Sequence, residues 1–373
     1  MNDRLMMTRA LHLAVRGAGN VAPNPMVGCV IAKDGKILGE GWHRQFGGPH
    51  AEREALAAAK DADVQGATCF VTLEPCSHTG KTPPCTDALI KAGIARVVIA
   101  AKDPNPKARG GAEKLLQAGL KVDIGLMREE AEKINEAFFH QLKTGRPYIR
   151  WKVAATADGC VAPPPGSTDR KISASDADDW VQKLRHSVGA IMVGAGTVRK
   201  DNPLLSDRSG LTPEAPLLRV IVGHDPMVLE GSRILETAGD IPTVFACSGP
   251  ATGREYLQKA DIDLWHWPDH QDVPLDALCD RLAARGINDV LLEGGAHLAA
   301  AMLQAQLINR VHILWAPKLL GTRSISQAML ADCKCSGPSD AYRLVKPDLT
   351  FLGDDVLYSA AVAYDKEGLC LPD

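Results

Sequence analysis

The chain has 373 residues, a length that favours two domains, each large enough to bury a core of its own. Hydrophobic residues make up 45% of the chain and charged residues 23%, which is typical of a soluble globular protein. A net charge of −3 excludes a general electrostatic attraction for nucleic acid, and no apolar run is long enough to span a membrane. An anionic substrate would therefore have to be bound by a local group of cations.

The predicted elements of the first half alternate between helices and strands. In chain order they are a helix at 3–17, strands at 27–32 and 36–41 around an Asp34-Gly35 turn, a helix with His50 and Glu52 in its first turn, a strand at 67–73, a helix at 85–92, a strand at 95–101, a helix near 111–118, a strand at 121–126 and a helix at 128–142. This alternation predicts a mixed sheet with helices on both faces. The segment Thr144–Pro147 indicates a domain joint.

A second α/β pattern follows the joint. Its strands are predicted near 148–155, 189–193, 217–222, 242–246, 262–266, 288–293, 310–316 and 356–364, and its helices near 175–187, 252–260, 274–285 and 296–306. We expect Ser175 to cap the first of these helices, with Asp176 and Asp178 in the first turn complementing the helix dipole. Two α/β domains, at 1–146 and 147–373, are therefore expected.

The strongest chemical signal of the chain combines His50-Ala51-Glu52 with Cys76 and Cys85. The predicted strand at 67–73 ends just before Cys76, and helices begin near His50 and Cys85, so the three side chains are expected to converge. One imidazole and two thiolates can hold Zn²⁺ with a fourth position open for water, whose pKa the metal lowers. A carboxylate two residues after the histidine can then move protons, as in a zinc hydrolytic deaminase.

An alternative interpretation is that these are three unrelated core residues, but the helix and strand context favours the metal site. Eight residues separate Cys76 from Cys85, whereas most zinc deaminases have a short Cys-x-x-Cys. The inserted loop, Ser77–Pro84, carries polar groups that could contact a substrate.

Ten cysteines are scattered over the chain without a dense disulfide framework. Met1–Arg4 leads into an amphipathic helix rather than an apolar signal region. We therefore expect a reducing cytoplasm, with Cys76 and Cys85 as thiolate ligands and the other cysteines as thiols.

Two glycine turns follow strands in the second half, at Gly194-Ala195-Gly196 and at Gly294-Gly295. Glycine lets the backbone approach a phosphate, so the pair suits a dinucleotide. Neither turn is a complete GxGxxG, which favours a nicotinamide-binding fold other than the Rossmann fold, and plain strand-capping turns are the alternative. Arg185, Arg199 and Arg208 could clamp a phosphomonoester or could each be a solvated surface charge.

Nine segments of the chain resemble one family, in the same order. They are Asn24–Ile31, Pro49–Glu52, Thr72–Cys85, Asp103–Pro106, Lys152–Gly159, Gly196–Val198, Asp201–Leu205, Glu293–Gly295 and Ala316–Gly321. Together they resemble the bifunctional deaminase/reductase family of riboflavin biosynthesis over essentially the whole length, and the long insert between the two cysteines is specific to it. The resemblance implies a cytidine-deaminase-like three-layer α/β domain at 1–146, followed by a dihydrofolate-reductase-like domain at 147–373.

The resemblance also implies two reactions. The first is zinc-dependent hydrolysis of the 2-amino group of 2,5-diamino-6-ribosylamino-4(3H)-pyrimidinone 5′-phosphate. The second is reduction of the ribosyl chain by NADPH, which gives 5-amino-6-ribitylamino-uracil 5′-phosphate. The partners it implies are this phosphorylated pyrimidine and further copies of the chain, joined through the reductase domain, with no nucleic acid and no membrane.

Site residues follow from the matching motifs. In the deaminase, His50, Cys76 and Cys85 would bind Zn²⁺, Glu52 would be the catalytic proton shuttle, and Asn24, His43, His78 and Lys81 would contact the pyrimidine or its phosphate. In the reductase, the residues along NADPH would be Ala154, Thr197, Asp201, Gly295, Ala296, His297, Leu298, Ala299, Ala300 and Ala301. The substrate site would be lined by Arg185, Leu205, Arg208 and Glu293.

The chain departs from the family pattern at three places. Asp169–Ser173 stands where the family usually has a Trp-containing segment, Gly223-His224 stands where it tends to have Asp-Ser, and the loop 160–168 is rich in proline. His224 could meet a cofactor phosphate or could be a solvated histidine at a strand end. Family contacts are not carried over to these places.

Two other functions fit part of the pattern. One is a deaminase of a nucleoside or tRNA base, with the second half as a binding module, which the near-neutral charge and the lack of a basic, aromatic stripe oppose. The other is a catalytically inactive scaffold. That function requires loss of a metal ligand or of the acid and base, yet all four residues of the first motif set are present.

Overall fold

The structure is a computed structural model that describes residues 2–78, 83–164, 166–169, 171–213, 215–248, 254–321, 328–331 and 335–364. The chain divides into two compact units, an N-terminal unit of Met1–Arg146 with Thr212–Ala215 and a C-terminal unit of Pro147–Leu211 with Pro216–Asp373. None of the helices in the described ranges has both the length and the apolar character needed to cross a membrane.

The N-terminal unit is built around one sheet. Its elements are α1 Asp3–Ala14, β1 Gly28–Lys33, β2 Lys36–Trp42, α2 Ala51–Ala58, β3 Thr68–Leu73, α3 Cys85–Lys91, β4 Arg96–Ala101, α4 Gly111–Gln117, β5 Lys121–Ile124, α5 Arg128–Ile134 and α6 Glu136–Thr144. The strand order is β2-β1-β3-β4-β5, with β1 antiparallel to both neighbours and β3, β4 and β5 parallel.

Alternate residues of the central strands in this sheet pack into two separate apolar layers. One layer joins Ile31 and Val71 to Ala55 of α2, and the other joins Phe70 to Met7 of α1 and Ala131 of α5. The predicted mixed sheet with helices on both faces is therefore confirmed. Because β3 and β4 run in the same direction, their carboxyl ends lie at one edge, where α2 and α3 begin.

One predicted helix of this unit is wrong in its extent. The segment 128–142 was expected to be a single helix, but α5 ends at Ile134 and α6 begins at Glu136. The residue between them is Asn135, whose side-chain Oδ1 accepts a hydrogen bond from Met26 N at 2.8 Å and whose Nδ2 donates to Met26 O at 2.9 Å. This long-range contact replaces helical continuity, and helix periodicity could not reveal it.

The C-terminal unit contains a larger sheet. Its elements are β6 Tyr148–Thr156, α7 Ser175–Ser187, β7 Ala190–Gly194, α8 Ala195–Asp201, β8 Leu218–Gly223, α9 Arg233–Glu236, β9 Thr243–Cys247, α10 Arg254–Lys259, β10 Ile262–His266, α11 Leu275–Ala284, β11 Asp289–Glu293, α12 Ala296–Gln304, β12 Arg310–Ala316, β13 Arg343–Leu352 and β14 Asp355–Ala363. The strand order is β10-β9-β8-β7-β11-β6-β12-β14-β13.

Strands β10 to β12 in that order are parallel, whereas β14 and β13 are antiparallel to their neighbours. The carboxyl ends of the parallel strands therefore share one edge, which is where open α/β sheets bind ligands. The first strand of the unit, β6, lies between β11 and β12, which come much later in the chain. Both glycine turns predicted to bind a dinucleotide lie at this edge.

The C-terminal unit differs from the sequence predictions in several details, including the short helix α9, which was not predicted. Strand β13 was not predicted, because Pro347 and the bulge between Val345 and Asp348 interrupt its alternation. Helix α8 was expected to be only a glycine turn. Ser175 is the first residue of α7 rather than its cap, and the N-cap is Ala174, whose N–H donates to Asp355 Oδ2 at 2.6 Å.

Arg219 of β8 is completely buried in this unit. Its three nitrogens donate to the hydroxyl groups of Thr243 and Thr237 and to the carbonyl oxygens of Leu204, Ile234 and Ile241, at 2.8–3.2 Å. Burial lowers the pKa of this guanidinium to about 10, because the charge lies away from water. The cation is therefore stabilised by hydrogen bonds that tie the loop after α8 to β8, α9 and β9.

Candidate active sites

The three predicted zinc ligands of the N-terminal unit converge at the end of β3. His50 is the N-cap residue of α2, Cys85 is the first residue of α3, and Cys76 lies shortly after β3. His50 Nδ1 lies 3.5 Å from Cys76 Sγ and 3.4 Å from Cys85 Sγ. The three ligand atoms all lie within 4.8 Å of one another.

These separations fit a tetrahedral metal ion. With Zn–N of about 2.1 Å and Zn–S of about 2.3 Å, tetrahedral geometry places a nitrogen and a sulfur ligand about 3.6 Å apart. The neighbouring Cys85 and His50 side chains lower the pKa of the Cys76 thiol, and the Cys85 backbone N–H donates to Cys76 Sγ at 3.4 Å. The donor set fits Zn²⁺, with His50 offering Nδ1.

Glu52 lies in the first turn of α2, and only 3% of its surface is exposed. Burial raises the pKa of its carboxyl group above the ordinary value, although the neighbouring His50 acts in the opposite direction. Its carboxyl group also interacts with the Cys85 thiol. A buried carboxyl group beside the ligand cluster can accept and release protons at the reacting centre.

The structure places Asn24 and His43 side by side and buries His43. His43 Nδ1 lies 3.0 Å from the carbonyl oxygen of Pro49, which can only accept, so Nδ1 carries the hydrogen. His43 Nε2 then accepts from Asn24 Nδ2 at 3.2 Å, and burial lowers the pKa of the imidazole. Neutral His43 thus orients the Asn24 amide, and substrate contact stays a prediction. His78 is exposed, and Lys81 lies outside the described residues.

Two side chains without a predicted role support this site. Glu74 accepts hydrogen bonds from the backbone N–H groups of Asp103 at 3.2 Å and Gly110 at 3.1 Å, which fixes the loop after β4. Arg53 Nη2 donates to Pro83 O at 2.9 Å, which ties the insert to α2. Burial raises the pKa of Asp103 to about 6. Glu74 precedes Pro75-Cys76 directly, and this adjacency was the one signal that could have identified it.

In the C-terminal unit the two predicted glycine turns lie against each other. Gly194 and Gly295 are the N-cap residues of α8 and α12, and Gly294 and Gly295 have φ of 72° and 80°. A Cβ atom at Gly294 would lie 3.4 Å from the Thr197 side chain, and one at Gly295 would lie 3.5 Å from Thr197 Oγ1. The turns therefore form one narrow backbone cradle, which suits close approach of a dinucleotide such as NADPH.

Glu293 and Arg185 form a buried, bidentate ion pair beside this cradle. Arg185 donates from Nε to Glu293 Oε1 at 3.0 Å, from Nη2 to Oε2 at 2.7 Å, and from Nη1 to Ser206 O at 3.1 Å. Although burial opposes the shift, Lys152 and Arg185 keep the pKa of Glu293 below its ordinary value. Two N–H groups of the Arg185 guanidinium remain for a ligand. Lys152, which faces Glu293 across β6 and β11, was not predicted as a site residue, although it is the first residue of the Lys152–Gly159 motif.

The remaining predicted reductase residues lie on β6, α8, α12 and the loop after α8, and two of them, Ala299 and Ala300, are buried. Leu205 is buried with φ of 52°, and Arg208 is exposed. Ala154 lies on β6, Thr197 and Asp201 on α8, and Ala296, His297, Leu298, Ala299, Ala300 and Ala301 on α12. Arg199, the third candidate for a phosphate clamp, lies on α8.

His224 lies beyond the end of β8. Its Nδ1 lies 3.3 Å from Ser248 Oγ and its Nε2 lies 3.4 Å from Asp272 Oδ1, with 64% of the side chain exposed. An acidic neighbour opposes a phosphate at this place, so the solvated strand-end interpretation is favoured. In the divergent segments, Pro165 and Arg170 lie outside the described residues.

Comparison with known proteins gives matches for both units. A family model described as the cytidine and deoxycytidylate deaminase zinc-binding region matches residues 1–101, and the RibD C-terminal domain model matches residues 147–336. The riboflavin biosynthesis protein RibD of Actinobacillus pleuropneumoniae is 39% identical over 366 residues, covering 97% of this chain and 96% of the relative. RibD of Escherichia coli is 42% identical, covering 86% of this chain and 89% of the relative.

Two solved structures match almost the whole chain. Acinetobacter baumannii RibD has a TM-score of 0.81 at 38% identity, covering 97% of this chain and 99% of that one. The Thermotoga maritima structure, named as a diaminohydroxyphosphoribosylaminopyrimidine deaminase/5-amino-6-(5-phosphoribosylamino)uracil reductase, has a TM-score of 0.82 at 34% identity with the same coverage. The predicted fold, cytidine-deaminase-like and then dihydrofolate-reductase-like, is confirmed.

The matches to the two family models support two cofactors, Zn²⁺ for the deaminase and NADPH for the reductase. All three predicted zinc ligands fall within the residues matched by the zinc-binding model. The chain therefore belongs to the RibD family of bifunctional deaminase/reductase enzymes of riboflavin biosynthesis.

Proposed function

We propose that this chain catalyses the two reactions for which the Thermotoga maritima relative is named. Residues 1–146 form the zinc-dependent deaminase domain, which removes the 2-amino group of 2,5-diamino-6-ribosylamino-4(3H)-pyrimidinone 5′-phosphate as ammonia. Residues 147–373 form the reductase domain, which uses NADPH to convert the ribosyl chain to ribityl. The observation that carries the proposal is the convergence of His50, Cys76 and Cys85 beside the buried carboxyl group of Glu52.

In the deaminase, three side chains bind the metal and a fourth transfers protons. His50, Cys76 and Cys85 hold Zn²⁺, which when bound lowers the pKa of water towards neutrality. Glu52 takes a proton from the attacking water and passes it to the ring nitrogen, and it then takes the second proton from the hydroxyl group added to the ring carbon and passes it to the departing amine. Its burial in the first turn of α2, next to the predicted metal ligands, supports this role. The amide of Asn24, oriented by His43, hydrogen-bonds to the pyrimidine, and His78 and Lys81 bind the substrate from the insert.

In the reductase, NADPH supplies a hydride when bound, and the protein supplies the geometry. The cradle of Gly294, Gly295 and Thr197 holds the cofactor with Ala154, Asp201 and the first turns of α12. The ion pair of Arg185 and Glu293 lines the substrate pocket. Arg208, whose exposed guanidinium is near enough to contribute to the low pKa of Glu293, binds the substrate phosphate.

A coupled assay tests both halves of the proposal. The full chain, loaded with Zn²⁺, is given the diaminopyrimidine phosphate and NADPH, and ammonia release and NADPH oxidation are followed in one reaction. We expect one equivalent of each per substrate. Ammonia without NADPH oxidation would instead support the C-terminal half as a binding module. Neither signal, in protein with stoichiometric zinc, would contradict the proposed substrate.

We propose that the chain self-associates through the reductase domain. Strand β13 is a free edge of the described sheet, and its residues Leu349 and Phe351 are 64% and 76% exposed on the same face. Glutamates at both positions should lower the mass measured by light scattering after size-exclusion chromatography. Leu116→Glu, at an exposed leucine of the N-terminal unit, is the matched control and should leave the mass unchanged.

We also propose that the chain acts in the cytoplasm on a small molecule, without nucleic acid or membrane partners. The described cysteines support a reducing compartment, because none of the eight forms a disulfide bond within the described residues.

A further inference from the structure

The loop after α8, Leu204–Ser209, is held by side chains from elsewhere in the C-terminal unit. The carbonyl of Leu204 accepts from buried Arg219 at 3.1 Å, and the carbonyl of Ser206 accepts from Arg185 at 3.1 Å. The backbone N–H of Arg208 donates to Gln182 Oε1 at 2.9 Å. Leu205, within this loop, has φ of 52°, a conformation that residues other than glycine rarely adopt, and the surrounding hydrogen bonds help to hold the backbone there.

A histidine–aspartate pair completes this set next to Arg208. His186 Nδ1 lies 2.9 Å from Asp207 Oδ2, and both side chains are largely buried. The other carboxylate oxygen of Asp207 accepts the backbone N–H of Ser209 at 2.8 Å. Asp207 is therefore bonded on both oxygens, and the residues on either side of Arg208 are fixed.

Because Asp207 is bonded to His186, it does not form an ion pair with its sequence neighbour Arg208. A carboxylate adjacent in sequence to an arginine is a natural partner for it, and such a pairing would neutralise the guanidinium. His186 and Ser209 occupy the carboxylate instead, and Arg208 forms no ion pair within the described ranges. The positive charge of Arg208 helps to lower the pKa of Glu293. Arg208 is therefore close enough to interact electrostatically with the reductase site.

We propose that His186 and Asp207 are a positioning pair of the reductase, which keeps Asp207 away from Arg208 and aims the Arg208 guanidinium at the substrate phosphate. The inference rests on the proposed role of Arg208. It assigns no direct substrate contact to either member of the pair.

Four variants of the full, zinc-loaded chain test the proposal in steady-state reductase assays. His186→Phe fills the buried space of the imidazole but removes its hydrogen bond to Asp207. Asp207→Ala removes the same hydrogen bond by a change in the loop, where the side chain is less buried. The test therefore does not depend on a single core substitution. We expect each to raise the KM for the phosphorylated pyrimidine about tenfold, with the KM for NADPH within twofold of the unchanged chain. His186→Asn and Asp207→Asn keep hydrogen-bonding groups and should restore most of the affinity.

The variant Arg208→Ala distinguishes the positioning role of His186 and Asp207 from the proposed phosphate contact of Arg208. We expect Arg208→Ala to raise the KM for the pyrimidine. If the double variant His186→Phe/Arg208→Ala has the same KM as Arg208→Ala alone, the pair acts through Arg208. If Arg208→Ala raises that KM but His186→Phe and Asp207→Ala do not, the inference alone is overturned. Equal changes in both KM values for the pair variants would show general loosening and would also overturn it. An unchanged KM in Arg208→Ala would remove the phosphate contact and the inference together.

Discussion

The two sites of this chain are built from different parts of the protein. In the N-terminal unit, one imidazole, two thiols and one carboxyl group converge at the ends of β3, α2 and α3, and most are buried. In the C-terminal unit, the site is spread along a sheet edge and consists largely of backbone, with two glycine turns and a loop held by hydrogen bonds. A site made of a few side chains should fail completely when one is lost. A backbone cradle should lose function by degrees.

The largest effect is expected for Glu52→Gln. The amide keeps the size of the side chain but cannot shuttle protons, so we expect ammonia release to fall by at least about a thousandfold while zinc content is retained. Reduction of the already deaminated intermediate should be unaffected. Glu54→Gln, on the same helix but partly exposed and paired with Arg44, is the control. Substantial ammonia release by Glu52→Gln would refute the assigned role.

Arg219→Met should give the largest change in stability. It leaves several buried hydroxyl and carbonyl groups without their donor, and we expect the C-terminal unit to lose about 3 kcal/mol in free energy of unfolding. Urea unfolding can be followed by tryptophan fluorescence, since every tryptophan except Trp42 lies after residue 146. Arg233→Met, at an exposed arginine of α9, should cost less than about 1 kcal/mol. Equal losses in the two variants would contradict the role of the buried network.

Gly295→Ala tests whether the second site loses function gradually. Alanine at φ of 80° strains the turn and adds a Cβ atom 3.5 Å from Thr197 Oγ1, so we expect about a tenfold rise in the KM for NADPH with measurable kcat. Gly286→Ala has the same strain, at φ of 82°, in open space at the far turn after α11. A similar rise in KM for that variant would show that strain alone, and not the cradle, is responsible.

The smallest effect is a pH dependence of stability carried by His312 of β12. Burial lowers its pKa to about 3 from an ordinary value of 6.5, so between these limits the unfolded chain binds a proton that the folded chain does not. Stability should therefore be complete above pH 6.5 and fall as the pH decreases, by about 1 kcal/mol between pH 6.5 and 5.5. His312→Asn should remove this part of the slope in urea unfolding. Identical slopes in the variant and the unchanged chain would count against the assignment.

The metal cluster was predictable from sequence because its parts are local. His50 and Glu52 share one helical turn, and Cys76 and Cys85 each stand at the end or start of a recognisable element. The same is true of the parallel strands, whose apolar runs are bounded by turns. Family resemblance then supplied the order of the motifs.

What sequence could not reveal depends on partners far apart in the chain. Asn135 breaks a periodic helix because it bonds to Met26, and Arg219 is buried because acceptors from three other segments meet it. His186 and Asp207 belong to different segments with no characteristic spacing. Strand β13 escaped detection because Pro347 and a bulge hide its period. Such features arise only when the sheet has formed.

The place of β6 in the sheet has a consequence for synthesis on the ribosome. This strand leaves the exit tunnel first among those of its unit, yet its partners β11 and β12 emerge more than a hundred residues later. The nascent C-terminal half must therefore keep the apolar side chains of Ile149, Trp151 and Val153 from aggregating until translation is almost finished. A premature stop before β12 would release a chain in which one edge of β6 has no native partner, and proteases and chaperones would recognise this incomplete sheet.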